Sequence, residues 1–376
     1  MPDVLELFLE LASIPSPPGR ERAVADRVTA YLDDLGLAWD EDGAGPIVDS
    51  TMGNILCRLP GRGDDGIPLF LCAHLDTVPP SGPIEPVVED GIVRNAGGTI
   101  LGADDKAAVA VMLEAARRVL AESRPHAGIE LLFTPKEEVG LLGAAAFDQT
   151  RLEAKVGYVY DQAAPIGEII LAAPSQKAIR ARFHGRAAHA GMFPEEGRSA
   201  IAAAARAIAD LRLGRIDEQT SANVGLVTGG TARNIVPEWC SFEAEARSRD
   251  DATLAELVQE MLDAIAFAAT VSDCTLETEV EETYRGYRFR ADDPIVRIAV
   301  EGLRLAGIEA TTNVSGGGAD ANVFNERGLP CVNLANGMTD IHTPDEHIAV
   351  ADLESMVEVT LGLVDAARAH VPVPGR

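Results

Sequence analysis

The sequence predicts an α/β fold: a largely parallel mixed sheet forming one domain, with an α+β domain of split βαβ order inserted into it. Three observations carry this reading. Short apolar runs bounded by turn residues alternate with helix-period segments over residues 1–176 and again over 289–376. Between them, at 177–288, the order becomes strand, helix, two strands, helix, strand. At 376 residues the chain also exceeds the roughly 250–300 residues at which a single core stops growing.

The elements follow in order. Val4, Leu7, Phe8 and Leu11 set a helical period over residues 2–11, broken by the Pro-rich stretch 13–19. Residues 20–35 form a second amphipathic helix, stopped by Gly36. Strands are expected at 54–59 and 68–72. The segment 61–66 between them spells G-x-G-x-x-G, but it precedes a strand and would turn two aspartates toward a phosphate, so it reads as a polar turn and not as a dinucleotide site. A hairpin is centred on Glu89-Asp90-Gly91, and an alanine-rich helix covers 103–121. Buried strands are expected at 129–133 and 156–160. Inside the insertion, strands fall at 177–184, 223–227, 241–246 and 275–283, with helices at 198–211 and 254–269. The first pattern then resumes: a helix at 294–306, a Gly-rich loop at 315–318, a helix to 324, a strand at 331–334 and a closing helix from 352.

Composition narrows the function. The formal net charge is −27, from 59 acids against 32 bases. That argues against nucleic acid and anionic membrane as partners and suits cation binding. No apolar run approaches transmembrane length, and the N-terminal stretch with Asp3, Glu6 and Glu10 lacks the basic start of a signal peptide. The cysteines are Cys57, Cys72, Cys240, Cys274 and Cys331; none forms a close pair, and they read as reduced thiols of a cytoplasmic protein. Only four lysines occur, which fits a salt-rich host and a compositional bias of the genome equally well.

The chemistry centres on residues 69–77, an apolar run ending in His74-Leu75-Asp76. Residues two apart share a face of a strand, so Asp76 can sit behind His74, accept one ring proton and leave the other nitrogen for a metal. Ligands in open α/β sheets bind at the carboxyl ends of strands. His74, Asp104, Glu138, Asp161 and His342 all fall just past expected strand ends or at a helix start. Singly, each has an ordinary explanation: Asp104 as a helix cap, Glu138 as a loop acid, Asp161 as a turn former, His342 as a loop histidine. Together they form a hard-to-borderline ligand set suited to zinc, with manganese or cobalt as substitutes. Asp104, in Gly102-Ala-Asp-Asp-Lys106, is placed to bridge two ions, and Glu137, beside Glu138, is placed to act as a base that is not a ligand.

This set, with Gly102–Lys106 and the wording of residues 71–78, resembles the di-zinc peptidases that include peptidase T, carnosine dipeptidases, glutamate carboxypeptidase and aminoacylase. The resemblance covers nearly the whole chain. It implies a catalytic domain of residues 1–176 plus 289–376 and a lid and dimerisation domain at 177–288. It implies two zinc ions per subunit, one on His74 and Asp161, the other on Glu138 and His342, with Asp104 bridging. Asp76 would orient His74, and the peptide after Asp104 would be cis. His189, in Arg186-Ala-Ala-His-Ala-Gly191, resembles a lid histidine that serves the partner subunit's site in a homodimer. Arg233, Asn234 and Arg247 resemble contacts to the substrate carboxylate, and Gly317 lies in a loop where backbone approaches substrate. His126, His184, His347, His370 and Glu346 receive no role.

The activity implied is metal-dependent hydrolysis of short peptides: the peptidase T-like wording implies tripeptides or similar substrates, and an aspartate at position 161 points to the aminopeptidase and dipeptidase side of the family. The wording around His342, Ile-His-Thr-Pro-Asp-Glu-His-Ile, is closer to the deacylase and carboxypeptidase branch. An N-acyl amino acid deacylase or carboxypeptidase using the same site, and an inactive dimeric scaffold, are the alternatives.

Overall fold

The Leu69–His74 strand lies inside the main sheet with every residue buried. A computed structural model describes residues 2–62 and 66–370; residues 63–65 of the turn expected at 61–66 lie outside the described residues. The sheet runs in the order Trp39–Glu41, Ile55–Leu59, Ile129–Thr134, Leu69–His74, Val156–Gln162, Cys331–Ala335, Glu168–Ala173. Leu69–His74 pairs in parallel with Ile129–Thr134 and with Val156–Gln162, and Val156–Gln162 pairs in parallel with Cys331–Ala335. Antiparallel pairs occur at Ile55–Leu59 with Ile129–Thr134 and at Cys331–Ala335 with Glu168–Ala173. The parallel strands therefore deliver the residues at 74, 134 and 161 to one edge of the sheet, and their largely apolar, buried character is that of strands covered on both faces.

Helices Val4–Ala12, Ala103–Ala121, Pro294–Leu305 and Val350–Ala369 supply much of the remaining core. The first is held by a capping box, in which the Asp3 carboxylate accepts the amide of Glu6 and the Glu6 side chain accepts the amide of Asp3. The helix expected from Ala103 departs from regular geometry at its start. Asp104 (ψ 107°) and Asp105 (ψ 25°) are not helical, and regular helix follows them. Six strands were not legible in the sequence: Trp39–Glu41, Gly214–Arg215, Tyr287–Arg288, Glu168–Ala173, Thr311–Val314 and His347–Ala349. The last belongs to a three-stranded sheet with Pro86–Glu89 and Ile92–Asn95.

Residues Ala173–Tyr287, with Gly316–Gly318, form a second compact unit. Its antiparallel sheet runs Gly214–Arg215, Thr220–Gly229, Trp239–Ser248, Ser175–His184, Thr275–Tyr284. Helices Ala200–Asp210 and Asp251–Val271 cover the face that carries Ile179, Ala181, Phe183, Phe242, Ala244 and Ala246, giving this unit a core of its own. The alternation of buried and exposed residues along Ser175–His184 is the period-2 signature of a sheet with one solvated face.

Candidate metal centre and active site

His74 ends its strand with a ring that is 2% exposed. Its Nε2 lies 3.1 Å from Asp104 Oδ1. Its Nδ1 lies 2.8 Å from the backbone oxygen of Asp76 and 3.5 Å from that residue's carboxylate. The orientation expected from the Asp76 carboxylate is thus shared, and the shorter contact is to its carbonyl. The carboxylate also accepts the amide of Glu137 at 2.9 Å and that of Glu138 at 3.2 Å. Asp76 therefore ties the His74 strand end to the turn carrying both glutamates.

The Asp104–Asp105 peptide is cis, and Gly102 before it has φ +77°, a left-handed value that glycine adopts freely. Asp104 presents one oxygen to each histidine: Oδ1 to His74 and Oδ2 to His342 Nε2 at 3.2 Å. His342 Nε2 also lies 3.1 Å from the Glu138 carboxylate. Asp161 comes in from the neighbouring strand. Its amide bonds the Asn333 side-chain oxygen at 2.9 Å, and the Asn333 side-chain amide bonds its carbonyl at 2.8 Å. Beneath the Asp104 segment, the buried Lys106 amine donates to the Ile14 carbonyl, and burial drags its pKa down to about 7 against the pull of Glu346 and Asp76.

The electrostatics follow from crowding acids and imidazoles in a buried space. Burial first, then Asp161, pushes the Glu137 carboxyl well above its usual range; burial and then Asp104 do the same to Asp161. Burial also acts to raise Asp104, but hydrogen bonds from His342 and His74 reverse this and hold it below its ordinary value. The same bonds, from Asp104 first and Glu138 next, lift His342 to about 10.

The donor set fits divalent cations. Ligand atoms of His74, Asp104 and Glu138 lie within 4.8 Å of one another, as do those of His74, Glu137 and Asp161. Carboxylates buried together at this density repel one another, and a dication offsets both that repulsion and their lost hydration. Imidazole with carboxylate suits zinc, manganese or cobalt.

The sequence profile described as Peptidase family M20/M25/M40 matches residues 70–366. The chain is an M20-family peptidase. YqjE of Bacillus subtilis strain 168, itself described as uncharacterized, is 40% identical to it over 97% of this chain and 98% of its own. The structure of aminopeptidase PepT from Bacillus cereus is 38% identical with a TM-score of 0.84, and that of a tripeptidase from Staphylococcus aureus is 37% identical with a TM-score of 0.88; each comparison covers 97% of this chain and 98% of the other. The resemblance drawn from the motifs is thereby established, and with it metal-dependent peptide hydrolysis as the activity of this M20-family peptidase.

The second unit holds the remaining candidates. His189 and Ile235 form a bridge, and the Val236 amide bonds the Ala188 carbonyl at 2.9 Å, so the segments with His189, Arg233 and Asn234 lie side by side and exposed. The amides of Gly191 and Met192 both donate to His189 Nδ1 at 3.2 Å, leaving Nε2 to carry the proton outward. Arg247 directs its Nε and Nη2 at Glu245, at 3.0 and 2.9 Å. Gly317 sits in the turn 316–318, whose neighbour Gly318 is packed so that a Cβ would stand 2.4 Å from the Tyr284 ring. A close approach of backbone to an aromatic ring thus accounts for that glycine without a substrate.

Sequence reasoning gave no role to two residues of the candidate metal centre, Asn333 and Glu346. Each contacts its partner across more than 170 positions of chain, so the contact itself leaves no local sequence signal, although Glu346 stands in the stretch around His342.

Proposed function

We propose that this M20-family peptidase is a di-zinc aminopeptidase that removes the N-terminal residue from tripeptides and similar short peptides. The observation that carries the reading is the near-full-length likeness to an aminopeptidase and a tripeptidase, each above 35% identity. His74 and Asp161 would hold one ion, Glu138 and His342 the other, with Asp104 between them, in keeping with its two oxygens facing the two histidines. When bound, such a pair supplies Lewis acidity: a water of lowered pKa and a polarised scissile carbonyl.

The chain's own groups do the rest. Glu137, buried and held by Asp76 at its amide, takes the proton of the attacking water and passes it to the leaving amine. His189 offers its Nε2 proton to the developing oxyanion in the partner subunit of a homodimer built through the second unit. Arg233, Asn234 and Arg247 grip the substrate carboxylate, with Gly317 beside it; for Arg247 this means exchanging Glu245 for the substrate. Aspartate at 161 is one methylene shorter than glutamate and leaves room for a free substrate amine. Manganese or cobalt serves in place of zinc. The cysteines stand as free thiols, four of them buried, which suits the reducing cytoplasm. Among the described residues no helix is long and apolar enough to cross a membrane.

The test compares kcat/KM for one tripeptide with its N-terminus free and then acetylated. A drop of several tens-fold or more on acetylation is expected, since a polar group built to meet the amine is left unpaired. Equal or better turnover of the acetylated peptide moves the protein to the deacylase branch, and absence of turnover on both with zinc, manganese or cobalt revives the scaffold.

A further inference from the structure

The Glu346 side chain is 2% exposed and lies more than 240 positions from Asp104 in sequence. Its carboxylate is filled by the backbone that carries Asp104. Oε2 accepts the amides of Leu101 and Gly102, each at 2.8 Å, and Oε1 accepts the amide of Asp104 at 3.0 Å. A neutral side chain of this length cannot do the same, because only a carboxylate offers two acceptor oxygens.

Glu346 also stands at the neck of the segment that presents His342. Thr339 and His347 close that segment with paired backbone bonds of 3.0 and 3.1 Å. Directly after Glu346, strand His347–Ala349 pairs with Ile92–Asn95, which anchors the neck. One side chain on this anchored base thus fixes the backbone of Asp104, while His342, four residues earlier, faces the Asp104 side chain at 3.2 Å.

We propose that Glu346 is a positioning residue that sets the spacing between Asp104 and His342, and through it the second metal position. The proposal rests on the metal-centre reading above. It gives the three amide bonds a consequence beyond local packing: without them, the two ligand segments lose their common reference.

The experiment titrates Co2+ into the chelator-treated full-length protein and follows its visible absorption and affinity, with thermal unfolding of the metal-free protein recorded in parallel. The variants are Glu346→Ala, Glu346→Gln and, as a control, Glu130→Gln. Glu130 is another buried carboxylate that accepts two backbone amides, at 2.9 and 2.8 Å, but it serves Glu153 and Ala154. For Glu346→Ala, Co2+ affinity at one of two positions should fall about 10–100-fold with an altered spectrum. Glu346→Gln, which keeps one acceptor oxygen, should recover part of that loss, while Glu130→Gln leaves affinity and spectrum as in wild type. Wild-type Co2+ affinity and spectrum in Glu346→Ala overturn the proposal, as does an equal loss in Glu130→Gln. Should the alanine variant fail to fold, an unchanged affinity and spectrum in Glu346→Gln overturn it. Failure of the wild type itself to bind Co2+ overturns the metal-centre reading, a result distinct from the others.

Discussion

Replacing Asp76 by asparagine separates two accounts of that residue. The sequence assigns it to orienting His74; the geometry adds the amides of Glu137 and Glu138, at 2.9 and 3.2 Å. An asparagine side chain keeps the shape but turns one acceptor oxygen into an NH2 that faces a backbone N–H. One hydrogen bond to a charged acceptor, worth about 1.5–3 kcal/mol, is then lost. At about 1.4 kcal/mol per decade this is roughly 10–100-fold. The loss should register in metal affinity and in kcat/KM together, because the proposed base Glu137 and the proposed ligand Glu138 hang on adjacent amides. A chromophoric chelator in competition for Zn2+ gives the affinity, and initial rates on a tripeptide give the turnover. An Asp76→Asn protein within about threefold of wild type in both, well below that range, would refute the reasoning, whatever happened to its melting temperature.

Other outcomes follow from the same geometry. Glu137→Gln should retain both metal ions and lose turnover by about 10²–10⁴; loss of one ion in that variant would exchange the roles of Glu137 and Glu138. His189→Ala mixed with Glu137→Gln should regain activity in heterodimers if His189 serves the partner's site, and a fully active monomer sinks that assignment. Asp320 is buried, takes a 2.6 Å hydrogen bond from Thr134, and burial pushes its pKa up to about 6. A folded pKa above the unfolded one contributes stability below the ordinary aspartate pKa that is lost as pH rises through about 6. Asp320→Asn in chelator-treated protein should therefore gain on wild type between about pH 4 and 7, by up to about 3 kcal/mol; a difference in unfolding free energy that stays flat over that range contradicts it.

The parallel core and the cluster of candidate ligands were legible in the sequence because both are written locally. A strand buried on both faces is a predominantly apolar run, as at Leu69–His74 and, with Glu130 as its one charged residue, Ile129–Thr134, and in a parallel sheet the residues at the ends of such runs gather at one edge. His74, Glu137 with Glu138, and Asp161 were placed by that rule alone. The irregular start of the Ala103–Ala121 helix was not visible in composition, which favours helix there; only the resemblance, through the cis peptide it implies after Asp104, pointed to it. Thr311–Val314 escaped notice because a short, exposed, polar strand exists only by pairing with Glu168–Ala173. The supports of the centre belong to the tertiary structure for the same reason. Asp76 reaches Glu137 across 61 positions, Asn333 reaches Asp161 across 172, and Glu346 reaches Asp104 across 242. Hydrogen-bond partners that far apart share no periodicity and no motif; they meet only once the sheet has brought its strand ends together.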